Sequence, residues 1–457
     1  VLTVPRPFLR AFRALGRTCA GGRRHGLAPP LTVSCDRIDA VLTAYHGEVV
    51  LTGRWPGAAD PFDPVALPGD VFDGAESPGD DPVTIAVVGR RAEVRWADHG
   101  GPRVETVAVT PPGPELAVPS DPTVLSPVPI AFVTALSEAG RTTSREANRY
   151  ALNRVQVRGD TGDVIASDGV TAYWKTGFAF PFAETLLVPA MPLFGSAEWA
   201  KAATVAVGRT NHHLVVRAGP WTAFLRIAAG RFPDVSAVVP RTPRPTTVSL
   251  DPADAVALAT GLPTLPGHRD EKRPVTLDLA PGRPPVVRGR DGASGETAEV
   301  VLSRSRVTNG PTRVAVDRAF LLRAVRLGCS TIRVAGADRP VVACGDDLTW
   351  LAATLPPDAI VAAHAPVAAL VPANPRPHPA SEARSPMKLP EPNGPARDRP
   401  DPADPGDPLA EAEALRSHLF EATQAAGRLV TMLKAKKKEQ KTLATVYSSL
   451  KALNLGP

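Results

Sequence analysis

Arg6, Arg10, Arg13 and Arg17 recur at intervals of four, three and four residues, a spacing that places side chains on one face of an α-helix. Four like charges on one stripe repel each other, so an isolated helix gains no stability from them. A polyanion neutralises that repulsion and returns counterions to solvent. The theme recurs in Arg318, Arg323 and Arg326 near residues 317–327, and in the loop Gly21-Gly22-Arg23-Arg24-His25. Arg141, Arg145 and Arg149 form a further cluster. Solvated helix faces in an arginine-rich chain carry such residues too, but recurrence on two helices favours the polyanion. No zinc finger, homeodomain-like helix or aromatic RNP strand accompanies them. The expected chemistry is sequence-tolerant contact with a nucleic-acid backbone, without base reading.

Catalysis has less support. Asp168, Asp234, Asp346 and Asp347 could suggest a metal-dependent nuclease. The first two sit in turn contexts, where aspartate usually hydrogen-bonds nearby backbone, and Asp346-Asp347 follows Gly345 in a predicted hairpin. No GxxxxGK[ST] phosphate loop is present, and the Cys and His residues lack a nucleophile context. Cys19, Cys35, Cys329 and Cys344 form no CxxC pair, and no histidines stand at zinc spacing. Reduced cytosolic thiols are expected, with no catalytic site, metal or cofactor.

The elements that carry these arginines repeat. Residues 2–17, 128–141 and 247–262 each read as a short β-like start, a helix of about ten residues, and a closing Gly region. Alternating β-type sequence follows, as in Val49–Gly53, Leu152–Val157 and Ile165–Gly169. Midway through each segment, residues 65–76, 186–197 and 314–327 predict a second helix after a strand and turn. Further strand pairs come next: Val83–Val88 with Ala92–Trp96, Ala203–Val207 with Leu214–Arg217, and Ser330–Val334 with Val341–Ala343. A helix-plus-strands unit thus occurs six times in three segments of about 110–125 residues. A helix carried on a short β-meander packs one face on the sheet and leaves the other for function.

Composition agrees with an α+β chain of about three domains. The 457 residues are 43% hydrophobic but only 5% aromatic, so the cores are built from Val, Leu and Ala. Net charge is +6 and the pI about 9.3, which suits a polyanion partner once the charges are placed. No run of 18 apolar residues exists, so no membrane span is expected. The basic N-terminus lacks an apolar h-region, and a secretory signal is not expected.

The order of motifs resembles the bacterial DNA polymerase III beta sliding clamp family. The best match runs from about 130 to 241: Arg149-Tyr150-Ala151-Leu152-Asn153 is similar to the family's Arg-Tyr-x-Leu-Asn strand, and Val164–Gly169 to its Ala-Thr-Asp-Gly turn. Ala229–Asp234 is similar to its Gly-Arg-Phe-Pro-Asp signature, the most specific of these signals, with Val239-Pro240 closing the domain. The first segment matches by pattern, and the third ends on Thr354-Leu355-Pro356, where the family's chain terminates.

The resemblance implies three clamp domains, 1–122, 123–243 and 244–361, with helices on the inner face and sheets outside. It implies a head-to-tail homodimer that encircles double-stranded DNA in the cytoplasm, at the nucleoid, and serves the polymerase without catalysis of its own. DNA contacts are then expected at Arg6, Arg10, Arg13, Arg17, Arg23, Arg24, Arg145, Arg149, Tyr150, Arg323 and Arg326. Polymerase, clamp-loader and repair partners would dock in a cleft between the second and third domains. On this chain that cleft maps to Leu152, Ser167, Gly169, Val170, Thr171, Ala172, Pro233, Val238, Ala353, Thr354, Leu355 and Pro356. The family's His-Arg-Leu after Asp-Gly is replaced by Val170-Thr171-Ala172, and Ala237 stands where it has a basic cleft residue. The cleft is therefore less polar, and altered partner specificity is expected.

The remainder has no counterpart in the resemblance. Residues 362–408 shift to Pro, Ala, Arg and Asp and read as a disordered or polyproline linker. Residues 409–457 read as helical, with Leu415, Leu419, Leu429 and Leu433 at helical spacing and a basic cluster from Lys434 to Lys441. Self-association is the expectation for that tail, with an added DNA or partner contact as the alternative.

Overall fold

The computed structural model describes residues 1–19, 31–35, 38–57, 61–98, 100–144, 151–267, 272–363 and 368–370. These fall in the first of the chain's two compact units, Val1–Pro375. Except for three residues at 368–370, the expected linker, and with it the helical tail, lies outside the described residues from 364 onward.

The first segment supplies β1 (Leu2–Val4), α1 (Arg6–Cys19), β2 (Leu31–Cys35), β3 (Asp39–His46), β4 (Val49–Pro56), β5 (Phe62–Leu67), β6 (Val83–Val88), β7 (Arg91–Asp98) and β8 (Gly101–Ala108). The second supplies β9 (Ser126–Val128), α2 (Ala131–Gly140), β10 (Arg154–Arg158), β11 (Asp163–Ser167), β12 (Thr171–Lys175), β13 (Thr185–Pro189), α3 (Ala197–Ala200), β14 (Val205–Arg209), β15 (His213–Ala218), β16 (Trp221–Arg226) and α4 (Val235–Val238). The third supplies β17 (Thr246–Ser249), α5 (Pro252–Gly261), β18 (Pro274–Leu279), β19 (Val286–Arg290), β20 (Thr297–Val301), β21 (Arg306–Thr308), β22 (Thr312–Asp317), α6 (Arg318–Arg326), β23 (Thr331–Val334), β24 (Val341–Cys344) and β25 (Leu348–Ala352), with β26 (Ala368–Leu370) beyond it.

The strands form four sheets, and two of them join segments instead of dividing them. Sheet one is β1-β6-β7-β8, and sheet four is β22-β18-β19-β20-β26. Sheet two, β5-β2-β3-β4-β16-β15-β14-β9, is stitched by antiparallel β4 and β16 with Gly53 opposite Trp221. Sheet three, β13-β10-β11-β12-β25-β24-β23-β17-β21, is stitched the same way by β12 and β25, with Tyr173 opposite Trp350. Gly53 has a packing reason: a Cβ there would stand 2.8 Å from the Trp221 ring and 3.0 Å from Phe8.

Helix α1 forms because Phe8, Leu9, Phe12 and Leu15 share a face and are all nearly or fully buried. Each such side chain contributes roughly 1.5–3 kcal/mol. Pro7 sits in the first turn, where its missing N–H costs nothing. Helices α5 and α6 start on aspartate caps: Asp251 accepts from Ala253 N–H at 2.8 Å, and Asp317 from Ala319 N–H at 2.7 Å. The second predicted helix survives fully only as α6. Residues 186–197 give β13 and a 3-10 turn at Pro192–Gly195 before the four-residue α3. Residues 65–76 give the end of β5, turns and one 3-10 turn at Gly74–Glu76. Pro68-Gly69 and Asp73-Gly74 interrupt any helix there.

Sheet three has two differently used faces. Val155, Val164, Tyr173 and Trp350 turn into the main core beneath α2 and α6. Ile165, Ala172, Val342 and Leu351 form a separate small cluster on the alternate positions, covered by Val235 of α4 with Phe232 and Val239 alongside.

Candidate nucleic-acid face and partner cleft

The arginine stripe of α1 is mostly spent inside the chain. The Arg6 guanidinium is 1% exposed and donates to the Ala97 carbonyl at 2.6 Å. Arg13, 9% exposed, donates to Glu76 Oε1 at 2.8 Å and also to Asp73 and the Gly69 carbonyl. Arg10 donates to the Ser77 and Gly79 carbonyls at 3.2 and 2.7 Å. Arg17 reaches both Glu76 carboxylate oxygens at 2.7 Å while its side chain stays 58% exposed. Arg10, Arg13 and Arg17 are therefore satisfied by the segment 69–80, whose turns leave carbonyls and carboxylates to satisfy. The expectation that Arg6 and Arg13 touch DNA is corrected, because neither has surface to offer a phosphate. Arg10 and Arg17 keep partial exposure.

On α6 the three arginines divide similarly. Arg318 is buried and donates to the Leu265 and Pro266 carbonyls. Arg323 crosses to the end of α2, donating to the Glu138 carbonyl at 2.7 Å, Thr142 Oγ1 at 2.8 Å and the Arg141 carbonyl at 3.2 Å. Its guanidinium carbon also sits 4.7 Å over the Trp350 ring. Burial holds its pKa below the ordinary value, against the opposing pull of Glu138. Arg323 thus fastens α6 to α2, the reverse of the free cation expected. Arg326 is exposed. Arg23, Arg24, Arg145, Arg149 and Tyr150 lie outside the described residues.

Between α2 and α6 a cavity of about 700 Å³ opens, floored by Tyr173 and Lys175 of β12. Arg141, Lys175 and Arg326 line it beside Glu138 and Asp346. The spacing of apolar residues gives no sign that Lys175, at the end of β12, shares a wall with Arg141 at the end of α2 and Arg326 of α6. Only the pairing of β12 with β25 under both helices brings them together.

The cleft candidates lie on the opposite face of sheet three. Residues 167–171 form a tight turn in which Asp168 Oδ1 accepts from the Val170 and Thr171 N–H groups at 2.9 and 2.6 Å. Ser167 Oγ donates to the Thr171 carbonyl at 2.7 Å and accepts from Gly169 N–H at 3.1 Å. Gly169 takes φ +91°, a left-handed value that favours glycine, and its open side faces Leu152. Ala353 N–H donates to the Val170 carbonyl at 2.9 Å, which brings the third segment's last strand to this turn. Asp234 caps α4 by accepting from Ser236 N–H at 3.0 Å. The Ser236 hydroxyl, donating to the same Oδ1 at 2.6 Å, chiefly holds that carboxyl below the ordinary value, with the N–H bond adding to it. Pro233 and Val238 flank the cover over Ile165 and Ala172.

Val170 and Val238 are 64% and 54% exposed, large apolar groups facing water, while the cluster of Ile165, Ala172, Val342 and Leu351 is itself buried with Val235. Leu355 and Pro356 run on along β22, with Leu355 N–H donating to the Ala315 carbonyl at 2.7 Å, and Thr354 is half-buried between. Of the aspartates weighed as nuclease ligands, Asp168 and Asp234 are occupied as turn and cap acceptors and Asp347 pairs with Lys175 at 3.7 Å, and no metal-holding cluster is found among the described residues. None of the four cysteines is in a disulfide. No helix among the described residues is long and apolar enough to cross a membrane.

This architecture is the sliding-clamp fold. The DNA polymerase III subunit beta of Pseudomonas aeruginosa superposes with a TM-score of 0.63 at 20% identity, covering 78% of this chain and 99% of that one. The same organism's clamp bound to griselimycin matches at 0.62 and 18% identity over the same shares. A putative DNA polymerase III beta subunit from Eubacterium rectale matches at 0.62 and 12% identity, again over 78% and 99%. No protein-family model matches the chain, and no curated protein matches it.

Proposed function

We propose that this chain is a DNA-encircling processivity clamp, a non-catalytic subunit that closes a ring with a second copy head to tail. The observation that carries the reading is the regularity of sheet joining. The last strand of one three-strand meander meets the last of the next: β4 of β2-β3-β4 pairs with β16 of β14-β15-β16, and β12 of β10-β11-β12 with β25 of β23-β24-β25. The same step applied once more joins β20 of one copy to β8 of another. Strand β8 suits that role: only β7 pairs with it among the described residues, and Val104 on it is 58% exposed. Its counterparts β16 and β25 are almost wholly buried.

Three domains, 1–122, 123–243 and 244–361, would then supply six units to the ring. Arg10, Arg17, Arg141, Lys175 and Arg326 are the cations with exposure to offer DNA phosphates, with Arg23, Arg24, Arg145 and Arg149 as further candidates. Contact is electrostatic and independent of sequence. The exposed apolar side chains of Val170 and Val238 suit a peptide from a polymerase or clamp loader. The test is topological: a ring stays on circular DNA and leaves a linear end.

A second reading is favoured by one feature. Val170-Thr171-Ala172 and Ala237 stand where the resembled family has His-Arg-Leu and a basic residue, so the cleft is less polar. A diverged clamp-like scaffold with a different partner set would retain the ring and lose the usual peptides. Direct titration with a polymerase-derived peptide separates the two.

A further inference from the structure

The edge strand that the ring needs on the third segment is already occupied. Beyond β25 the chain returns and adds β26 to the outer side of β20, in parallel, with Ala298, Glu299 and Val300 opposite Ala368, Ala369 and Leu370. The return path is anchored upstream on the same sheet. Val361 N–H donates to Thr276 Oγ1 of β18 at 2.8 Å, and its carbonyl accepts from the Arg288 guanidinium of β19 at 3.2 Å. Arg288 is 3% exposed and held between Asp278 and Glu299, the latter on β20 itself. From 361 to 368 the chain can span up to about 24 Å, ample for crossing strands spaced roughly 4.8 Å apart.

We propose that β26 is an intramolecular cap on the ring-closing edge, so that a second copy's β8 must displace it for the ring to shut. This rests on the ring reading above. A strand edge carries one set of N–H and C=O groups, so two strands cannot pair with it at once. The occupant is weak by design: β26 has three residues against eight in β8, and parallel pairing is slightly less stable per residue than antiparallel. Capping therefore lowers the apparent affinity of one copy for another by the fraction of chains left open, and does not abolish it. Whatever draws the tail away from β20 favours closure.

Strand β8 offers a clean counter-variant. Val109 N–H donates to the Arg90 carbonyl at 3.0 Å, so alternation turns odd positions of β8 toward β7 and leaves Val104 and Thr106 pointing their backbone groups outward. Val104→Pro then removes an outward donor and spares the β7 ladder.

The experiment is sedimentation velocity on the full chain across a concentration series. Ala368→Pro with Ala369→Pro removes β26 donors in either register and is expected to tighten self-association by about tenfold or more. Ala298→Cys with Ala368→Cys, oxidised to an intrachain disulfide verified by peptide mass, is expected to hold the chain monomeric until reduced. Val104→Pro is expected to weaken association in both backgrounds. If the proline pair associates no better than wild type while Val104→Pro still weakens it, the cap is overturned and the ring survives. Failure of the intrachain disulfide to form also overturns the cap. Absence of association in every variant overturns the ring reading and the cap with it.

Discussion

The Nε of Arg13 lies 2.8 Å from Glu76 Oε1, joining the helix of the first segment to the turns that stand where a second helix was expected. Both groups are largely withdrawn from water, with side-chain exposures of 9% and 21%. An arginine on a cationic stripe has become a structural clasp. Removing Arg13 takes the donor from the Gly69 carbonyl and leaves Glu76 held by Arg17 alone. Arg13→Ala is expected to destabilise the fold by about 1–3 kcal/mol, measured by denaturant unfolding. Arg326→Ala, at an exposed site, is expected to stay within about 0.5 kcal/mol of wild type. Equal stability of the two variants would contradict the assignment.

Glu76 sets a pH dependence. Burial pushes its carboxyl up, but hydrogen bonds and charge from Arg13 and Arg17 outweigh that and hold it below its ordinary 4.5. A carboxylate with a folded-state value below its unfolded one stabilises the fold above the unfolded value. That contribution fades as pH falls from about 4.5 through the depressed value. Thermal melts of Glu76→Gln should begin lower at neutral pH and decline less steeply on acidification than wild type. Parallel declines would remove Glu76 from the account.

Exposed cations should behave differently from clasped ones. Replacing Arg17, Arg141, Lys175 and Arg326 with Ala, singly, is expected to weaken DNA retention; stability should be nearly unchanged for Arg141, Lys175 and Arg326 and slightly lowered for Arg17, which shares in holding Glu76. Each lost phosphate contact should flatten the slope of log affinity against log salt by about 0.9. Slopes identical to wild type in all four would place DNA elsewhere.

The cleft makes a separable prediction. Val170→Asp or Val238→Asp puts a charge at an exposed apolar position of the candidate cleft. Affinity for an apolar polymerase-derived peptide should fall about tenfold or more, with the melting temperature unchanged because both side chains face water. Calorimetric titration showing undiminished binding would move the peptide site.

The sequence made the opening helices, most strands and the Gly-Arg-Phe-Pro-Asp segment legible because apolar periodicity and turn chemistry are local. Phe8, Leu9, Phe12 and Leu15 announce α1, and Asp234 announces its cap. Charge placement was legible only to the level of the helix face. Whether Arg13 meets DNA or Glu76 is decided 63 residues away, by a loop whose carbonyls needed donors. Arg323 misled for the same reason, since its partners Glu138 and Thr142 lie on α2 and the turn after it, some 180 residues earlier. The shared wall of Lys175 and Arg326 and the return of β26 to β20 depend on strand pairing, which no local signal carries.

The measurement closest to the central claim is retention on DNA of two topologies at matched length and salt. The protein should remain on a nicked circle through a high-salt wash and be lost when the same circle is cut once, because a ring departs only over an end. Equal loss from circle and linear DNA, or equal retention on both, would contradict encirclement.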